Sequence, residues 1–341
     1  MDLEELNRIA RKMVENGKGL LAADESNNTI GKRFADIATE NNENNRRAYR
    51  EFMFRTDVAM KNHISGVILY DETIRQKAKD GTPLVKIIED AGAVPGIKVD
   101  TGPVALPGFP GEVITQGLDG LRDRFAEYHK LGARFAKWRA VIDISPTIPT
   151  YGAIHANAQA MARYAGLAQE AGIVPIIEPE VLMDGDHDAA RCEEVTTFVH
   201  EEFFRELYIA RIALEGIILK PNMIVAGKKS AKQAGVQEVA ERTLRVLRRT
   251  TSSAVPGIAF LSGGQSDLDA TAHLDAMNKI GGNPWPLTFS YGRALQAAPQ
   301  KAWGGKDANV EAGKAAFAHR AKMNWLAANG KWAKADESKA A

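Results

Sequence analysis

The sequence predicts an α/β protein built as a single (β/α)8 barrel, the TIM-barrel architecture, and two observations lead to that prediction. Eight short apolar segments rich in β-forming residues recur along the chain, and segments with helical periodicity lie between them. Regular alternation of strand and helix implies parallel strands joined by right-handed crossovers. The chain has 341 residues, more than the roughly 250 of a typical barrel, so extra elements are expected.

The eight predicted strands are short apolar runs, most of them bounded by Gly, Pro or polar residues, as buried parallel strands are. They comprise residues 19–23, 64–70, 94–99, 133–138, 173–177, 216–219, 257–261 and 286–290. Amphipathic segments between them predict helices, which include 118–131, 156–171, 189–214 and 237–249. The first crossover is expected to be long and polar over 41–47 and then helical to residue 61.

Additional helices are predicted at both ends of the barrel. Before the first strand, the apolar face of an amphipathic helix comprises Leu3, Leu6, Ile9, Ala10 and Met13. After the last strand, residues 312–328 predict an alanine-rich helix and residues 330–341 a flexible, mobile tail. Because no linker-like segment divides the chain, one domain is predicted, comprising an N-terminal helix (1–16), the barrel (17–305), and the C-terminal helix and tail (306–341).

The composition argues against several classes of protein. With 44 basic and 43 acidic residues, the formal net charge of +1 gives no reason to expect nucleic acid or an anionic membrane as the main partner. The single cysteine, Cys192, rules out an intrachain disulfide and suits a reducing compartment. Neither a signal-like leader nor an apolar stretch approaching about 18 residues is present. We therefore expect a soluble, cytoplasmic protein with a small-molecule partner.

Lys220 is the first candidate catalytic residue, because it follows the apolar segment 216–219 and precedes a proline. Active sites of these barrels lie at the C-terminal ends of the strands. Burial there lowers the pKa of an amine, which favours the neutral nucleophile that forms a Schiff base. The alternative is a lysine whose amine extends from the strand end into solvent.

Polar groups at the other strand ends favour the catalytic interpretation. Seven of the eight predicted strands end on such a group, which places them on one rim of the barrel. The groups are Asp24, Lys98, Lys137 with Arg139, Glu178 with Glu180, Lys220, the turn 262–264, and Arg293. Glu178 and Glu180 end an apolar strand, where burial and nearby lysines together can bring a pKa near neutrality for acid/base catalysis. For Glu180 the alternative is a salt bridge to Lys137 or Lys220.

Two further sets of residues predict phosphate sites. The loops after the seventh and eighth strands, where barrel phosphate sites most often lie, carry Ser262, Gly263, Gly264, Ser290, Gly292 and Arg293. Hydroxyl and basic groups after other strands predict a second site, and these are Ser26, Thr29, Arg33, Lys98 and Arg139. For Arg33 and Arg139 the alternative is a solvated surface charge.

With these motifs in place, the sequence resembles class I fructose-1,6-bisphosphate aldolase, the Schiff-base type that needs no metal. The motifs occur in family order at 19–26, 96–100, 135–139, 174–180, 184–188, 219–223, 261–265 and 289–294. The resemblance implies that Lys220 forms the iminium with the substrate ketone and that Glu178 is the general acid/base. It implies that Asp24 and Lys137 orient the substrate and assist proton transfer, and that Glu180 supports them.

The resemblance also assigns the phosphate groups, the pathway and the assembly. It implies a C1-phosphate site at Ser262, Gly263, Gly264, Ser290 and Arg293, and groups near the C6 phosphate at Ser26, Arg33, Lys98 and Arg139. The implied reaction yields dihydroxyacetone phosphate and glyceraldehyde 3-phosphate in glycolysis and gluconeogenesis, without cofactor or metal, in a homotetramer. The chain departs from the animal members at its end, since no tyrosine follows Tyr291.

The sequence leaves four alternative functions to consider. Residues 261–265 match a motif of transporter-type ATPases, but no Gly-x-x-x-x-Gly-Lys-Ser/Thr loop accompanies it. The seven histidines are scattered, which argues against a metal-dependent aldolase, and 184–188 is predicted to form a polar turn that closes over the site. A non-enzymatic scaffold would not depend on Lys220. Another Schiff-base aldolase or transaldolase acting on a phosphorylated ketose would prefer a substrate with one phosphate.

Overall fold

The computed structural model describes residues 1–338, and within them eight parallel strands close into a barrel beside a two-stranded antiparallel hairpin. The strands in chain order are β1 (Gly19–Ala23), β2 (Ile64–Leu69), β3 (Val94–Lys98), β4 (Gly102–Ala105), β5 (Val113–Gln116), β6 (Phe135–Ile142), β7 (Val174–Val181), β8 (Ile218–Leu219), β9 (Ile258–Phe260) and β10 (Leu287–Tyr291). Around the barrel they follow the order β1-β10-β9-β8-β7-β6-β3-β2. The predicted fold class is confirmed.

The α-helices of the described residues surround this barrel and extend it at both ends. They are α1 (Leu3–Val14), α2 (Asn27–Ala35), α3 (Glu43–Phe54), α4 (Asp57–Asn62), α5 (Asp71–Arg75), α6 (Leu84–Asp90), α7 (Leu121–Lys130), α8 (Tyr151–Glu170), α9 (Ala189–Ile209), α10 (Val236–Thr250), α11 (Asp267–Ile280), α12 (Arg293–Trp303) and α13 (Val310–Ala328). In the described part of the chain, no helix is long and apolar enough to cross a membrane.

Helix α1 covers the N-terminal end of the barrel. Its buried face joins residues from inside the barrel in one apolar cluster, which includes Phe135, Ile218 and Ala259. Phe135 occupies space that Gly96 leaves free, since a Cβ at Gly96 would lie 2.3 Å from its ring. The interior is therefore a packed core, and access for a ligand is left at the opposite, C-terminal end.

The first crossover differs from the sequence prediction. Residues 27–35 form α2. The segment 41–47 is polar, as expected, but the helix predicted to follow it already begins at Glu43 and is divided into α3 and α4. Asn42 explains the early start, because its side chain accepts a hydrogen bond from the backbone N–H of Asn45 at 2.9 Å. The hairpin of β4 and β5 was not predicted.

The C-terminal segment packs on the barrel beyond α13. Trp332 is 9% exposed, and its backbone N–H donates to Asp275 at 3.0 Å. Glu337 forms an ion pair with Arg320 of α13. The mobility predicted for the tail stays a prediction, and its last three residues lie outside the part of the chain that the structure describes.

Candidate active site

A cavity of about 420 Å³ opens at the C-terminal end of the barrel, where most of the predicted site residues converge. Its lining includes Asp24, Ser26, Thr29, Arg33, Lys98, Lys137, Arg139, Glu178, Glu180, Lys220, Ser262, Gly263, Ser290 and Gly292. Two predicted residues, Gly264 and Arg293, are not part of that lining. Residues distant in sequence thus meet because each lies in a barrel strand or in the segment that follows one.

Lys220 is held at the end of β8 with its amine inside the cavity. Its backbone N–H donates to the carbonyl of Ile177 on the neighbouring β7 at 2.8 Å, which continues the strand pairing. The residue is 4% exposed, so the alternative of an amine extending into solvent is wrong. Its Nζ lies 3.0 Å from Oε1 of Glu178, a contact short enough for direct proton transfer.

Lys137, on β6, lies among three carboxylates. Its Nζ is 2.9 Å from Oδ2 of Asp24, 3.5 Å from Oε2 of Glu178 and 3.9 Å from Oδ2 of Asp100. Burial by itself would lower the pKa of Lys137, but the negative charges of Asp24, Glu178 and Asp100 outweigh it and raise that pKa. Lys137 is therefore a fixed cation at neutral pH and is unsuited to nucleophilic attack.

Asp24 carries the complementary charge. Burial would raise its pKa, but Lys137, Lys220 and Lys98 together lower the pKa to about 2. At neutral pH Asp24 is thus ionised. The ion pair of Asp24 and Lys137 fixes one wall of the cavity beside the Lys220 amine.

Two buried groups that the sequence analysis did not single out support this wall. Asp100 is 7% exposed, and its Oδ1 lies 2.7 Å from Nζ of Lys98. Arg50, on α3, is fully buried and donates to the backbone carbonyl of Glu25 at 2.8 Å. Asp100 lies directly after a predicted strand, so its position in the sequence could have indicated that it belongs to the site. Arg50 lies in a helix away from the strand ends, so no local pattern points to it.

The loops after β9 and β10 form a corner of the cavity whose groups suit an anion. Ser290 is 1% exposed, and its Oγ has no hydrogen-bond partner among the described residues. A Cβ at Gly263 would lie 2.7 Å from Leu261 and 3.0 Å from Glu180, so only glycine fits there without displacement. Helix α12 begins directly after Gly292, and a helix N-terminus attracts anions.

Arg293 and Gly264 lie beside this corner without lining the cavity. Arg293 is exposed, and its guanidinium donates to the backbone carbonyl of Gln265 at 3.2 Å. Gly264 has a φ of +69°, a left-handed conformation that favours glycine, and it packs against Met183. In this structure the corner offers hydroxyl and backbone groups, with one guanidinium nearby.

The opposite side of the cavity carries basic side chains paired with acids. Arg33 pairs with Glu25, and Arg139 pairs with Glu180. The sequence allowed a salt bridge from Glu180 to Lys137 or Lys220. The structure instead pairs Glu180 with Arg139. The Arg33 and Arg139 side chains are 26% and 38% exposed, so the alternative of fully solvated surface charges does not hold. Ser26 accepts a hydrogen bond from the N–H of Thr29 at the start of α2.

The segment 184–188 forms a polar turn between β7 and α9. Its backbone is tied to the segment after β8, since Gly227 donates to the carbonyl of His187 at 2.8 Å. Lys228 pairs with Asp184 at 2.7 Å. Its residues do not appear in the cavity lining of the described chain, so the turn is as predicted and the closure over the site is not seen.

Comparison with known proteins matches nearly the whole chain. The family model described as fructose-bisphosphate aldolase class-I matches residues 5–341. A protein of Xanthomonas campestris pv. campestris named probable fructose-bisphosphate aldolase class 1 is 54% identical over 334 residues, which cover 97% of this chain and 99% of that relative. The non-muscle fructose-bisphosphate aldolase of Lethenteron camtschaticum is 53% identical over 98% of this chain and 92% of its own.

A solved structure shows the same architecture. It is the fructose-bisphosphate aldolase of Plasmodium falciparum, in a co-crystal with TRAP and a small-molecule inhibitor. The TM-score is 0.95 at 46% identity, over 97% of this chain and 96% of that one. The similarity in sequence and the similarity in backbone structure to fructose-bisphosphate aldolases therefore both extend over nearly the whole chain.

Proposed function

Because this chain belongs to the class I fructose-bisphosphate aldolase family, we propose that it cleaves fructose 1,6-bisphosphate reversibly, with Lys220 as the Schiff-base lysine. The products are dihydroxyacetone phosphate and glyceraldehyde 3-phosphate, so the protein is a carbon–carbon lyase. The observation that carries the role of Lys220 is the contrast between two buried lysines. Among the described residues, Lys220 contacts one carboxylate and Lys137 contacts three.

Schiff-base formation uses the contact between Lys220 and Glu178. The ammonium of Lys220 gives a proton to Glu178 across 3.0 Å, which leaves a neutral amine. That amine attacks the C2 carbonyl of the substrate to form a carbinolamine. Glu178 then returns its proton to the C2 hydroxyl, which departs as water and leaves a cationic iminium.

Carbon–carbon cleavage uses Glu178 in the opposite sense. Its carboxylate accepts the proton of the C4 hydroxyl while the C3–C4 bond breaks and glyceraldehyde 3-phosphate forms. The bonding electrons move into the iminium, which becomes a neutral enamine instead of a free carbanion. Protonation of the enamine at C3 and hydrolysis by water release dihydroxyacetone phosphate and the Lys220 amine.

The two ends of the cavity orient the substrate across Lys220. We assign the C1 phosphate to Ser262, Gly263, Gly264, Ser290, Gly292 and Arg293, which supply hydroxyl and backbone donors, a helix N-terminus and one guanidinium. We assign the C6 phosphate to Ser26, Thr29, Arg33, Lys98 and Arg139. The unpaired Ser290 hydroxyl supports the first assignment. Two phosphate sites favour a bisphosphate over a ketose with one phosphate.

We further propose that the reaction uses no cofactor or metal, as the resemblance implies, because Lys220 and Glu178 supply the electrophile and the proton transfers. The proposal extends to a single domain, to a homotetramer and to the cytoplasm. Activity that survives dialysis against EDTA tests the first point. Light scattering coupled to size-exclusion chromatography measures the assembly.

Borohydride trapping tests the central proposal. Reduction in the presence of dihydroxyacetone phosphate converts the iminium into a stable secondary amine, and peptide mass mapping should place it on Lys220. Lys220→Ala should abolish the adduct, while Lys130→Ala, an exposed position of α7, should retain it. An adduct on another lysine, or none in the wild type, would overturn the assignment.

A further inference from the structure

A cluster of metal-ligating side chains lies outside the active-site cavity, between α8 and α9. His155 lies in the first turns of α8, and Glu202 and Glu206 lie one turn apart on the same face of α9. One ligand atom from each residue lies within 4.8 Å of the others, and no second group of this kind occurs in residues 1–338. His155 Nδ1 is 2.7 Å from Oε1 of Glu202 and 3.6 Å from Oε1 of Glu206.

Glu206 is the residue whose surroundings need explanation. It is 7% exposed, and within the described chain its carboxylate has one charged neighbour, His155 at 3.6 Å, which is beyond hydrogen-bond distance. Carboxylates with so little exposure are stabilised by a positive charge or by hydrogen bonds. The Glu206 carboxylate faces the same imidazole nitrogen as Glu202, so the two acidic side chains and the imidazole converge on one position.

Glu202 adds a second negative charge to the same position. It is 4% exposed, it accepts a hydrogen bond from the hydroxyl of Tyr151 at 3.3 Å, and Arg205 lies 3.7 Å from its other oxygen. Two carboxylates four residues apart on a helix repel each other. The nearby positive groups are Arg205, whose side chain is 64% exposed, and the imidazole of His155, whose side chain is 44% exposed and which is charged only when protonated.

We propose that His155, Glu202 and Glu206 bind one divalent transition-metal ion, for which Zn²⁺ is the reference ion. One imidazole nitrogen and two carboxylate oxygens form a ligand set that suits zinc, whereas magnesium prefers oxygen ligands alone. With ligand bonds of about 2.0–2.2 Å, three ligands of a tetrahedral ion lie roughly 3.4 Å apart. The present spacing of the donor atoms needs only side-chain adjustment to reach that distance.

The exposed edge of His155 leaves a fourth coordination position open to water. The ion would connect α8 to α9, the helices that follow β6 and β7. None of the three ligands lines the catalytic cavity of the described chain, so the site would stabilise the packing of two helices and take no part in the Schiff-base reaction.

Metal titration of the full-length protein tests this proposal. After removal of metals by dialysis against EDTA, calorimetric titration with Zn²⁺ should show one tight site per chain that a tenfold excess of Mg²⁺ does not block. Glu206→Gln, which keeps the size of the side chain, should weaken binding at least tenfold, as should His155→Asn. His129→Asn, at a partly exposed histidine outside the cluster, is the matched control and should bind like the wild type.

Two further measurements make the result independent of how well the variants fold. Co²⁺ bound to the wild type should give the visible absorption of a tetrahedral site, and one equivalent of Zn²⁺ should displace it. Aldol cleavage by Glu206→Gln should equal that of the wild type. Equal affinity in wild type and Glu206→Gln, or a wild type without a tight site, overturns the proposal.

Discussion

Replacing Lys137 with methionine is expected to destabilise the fold at neutral pH, because buried carboxylates lose the cation that they share. Lys137 lies within 2.9 Å of Asp24 and 3.5 Å of Glu178, and all three side chains are largely buried. Removing one partner of a buried ion pair costs about 3–5 kcal/mol. Methionine keeps the length and the apolar stem of lysine, so the loss reports the charge more than the packing.

The pH dependence of the free energy of unfolding gives a second, independent measure of the same ion pair. Burial raises the pKa of Asp24, and the three lysines outweigh burial and lower the pKa from 3.8 to about 2. A lowered carboxylate pKa contributes stability that is present above the unfolded-state pKa and lost as the pH falls through the folded-state pKa. This shift corresponds to about 2 kcal/mol, which the wild type should lose between about pH 4 and pH 2. In Lys137→Met the stability should change less across that window.

Urea unfolding followed by tryptophan fluorescence at about pH 3, 5 and 7 measures both effects. Lys130→Met, on the exposed face of α7, is the matched control and should stay within about 0.5 kcal/mol of the wild type. The double variant Asp24→Asn/Lys137→Met removes one uncompensated charge as well, so it should be more stable than Lys137→Met alone. The reasoning is refuted if Lys137→Met unfolds like the control at neutral pH, or if the double variant recovers nothing.

Three further predictions concern the proposed acid/base residue, the proposed C1-phosphate corner and the barrel core. Glu178→Gln should lower kcat by about 10²–10⁴-fold in a steady-state cleavage assay, because proton transfer by a positioned side chain contributes that factor; an unchanged kcat would remove Glu178 from the mechanism. Arg293→Ala should raise KM for fructose 1,6-bisphosphate about tenfold without altering the melting temperature, because its exposed guanidinium supports no buried contact; an unchanged KM would separate it from the C1 phosphate. Gly96→Ala should cost about 1–3 kcal/mol in chemical unfolding, because its Cβ would lie 2.3 Å from the Phe135 ring. Gly235→Ala, where nothing lies within 4 Å, is the control, and equal losses in the two would contradict this account.

Much of the site was predictable because its residues sit at strand ends. Lys220 and Glu178 each follow an apolar run, and the C-terminal ends of parallel strands share one rim, so local patterns and a topological rule suffice. The pairing of Glu180 with Arg139 was not predictable in the same way. It depends on the register of β6 against β7, where Arg139 lies opposite Glu178 and Val141 opposite Glu180, and register is not visible in either strand alone.

The other differences from the sequence prediction have separate causes. The sequence around Arg293 resembles a phosphate motif, but the direction of its side chain depends on the carbonyl of Gln265. The hairpin of β4 and β5 has exposed residues along β4, so it lacks the apolar run by which the barrel strands were recognised. Asn42 shows that a single capping side chain can move a helix boundary that periodicity alone places several residues away.

The position of α1 has a consequence for the order in which the chain can fold during synthesis. Helix α1 buries its apolar face against Ile218 and Ala259, which are made more than 200 residues after it. A Cβ at Gly257 would lie 2.5 Å from Val14, so the fit between these two segments is close. Until β9 has been made, that apolar face lacks part of its final cover, and chaperones have access to it. Helix α1, although made well before β8 and β9, is thus among the last segments to reach its complete native packing.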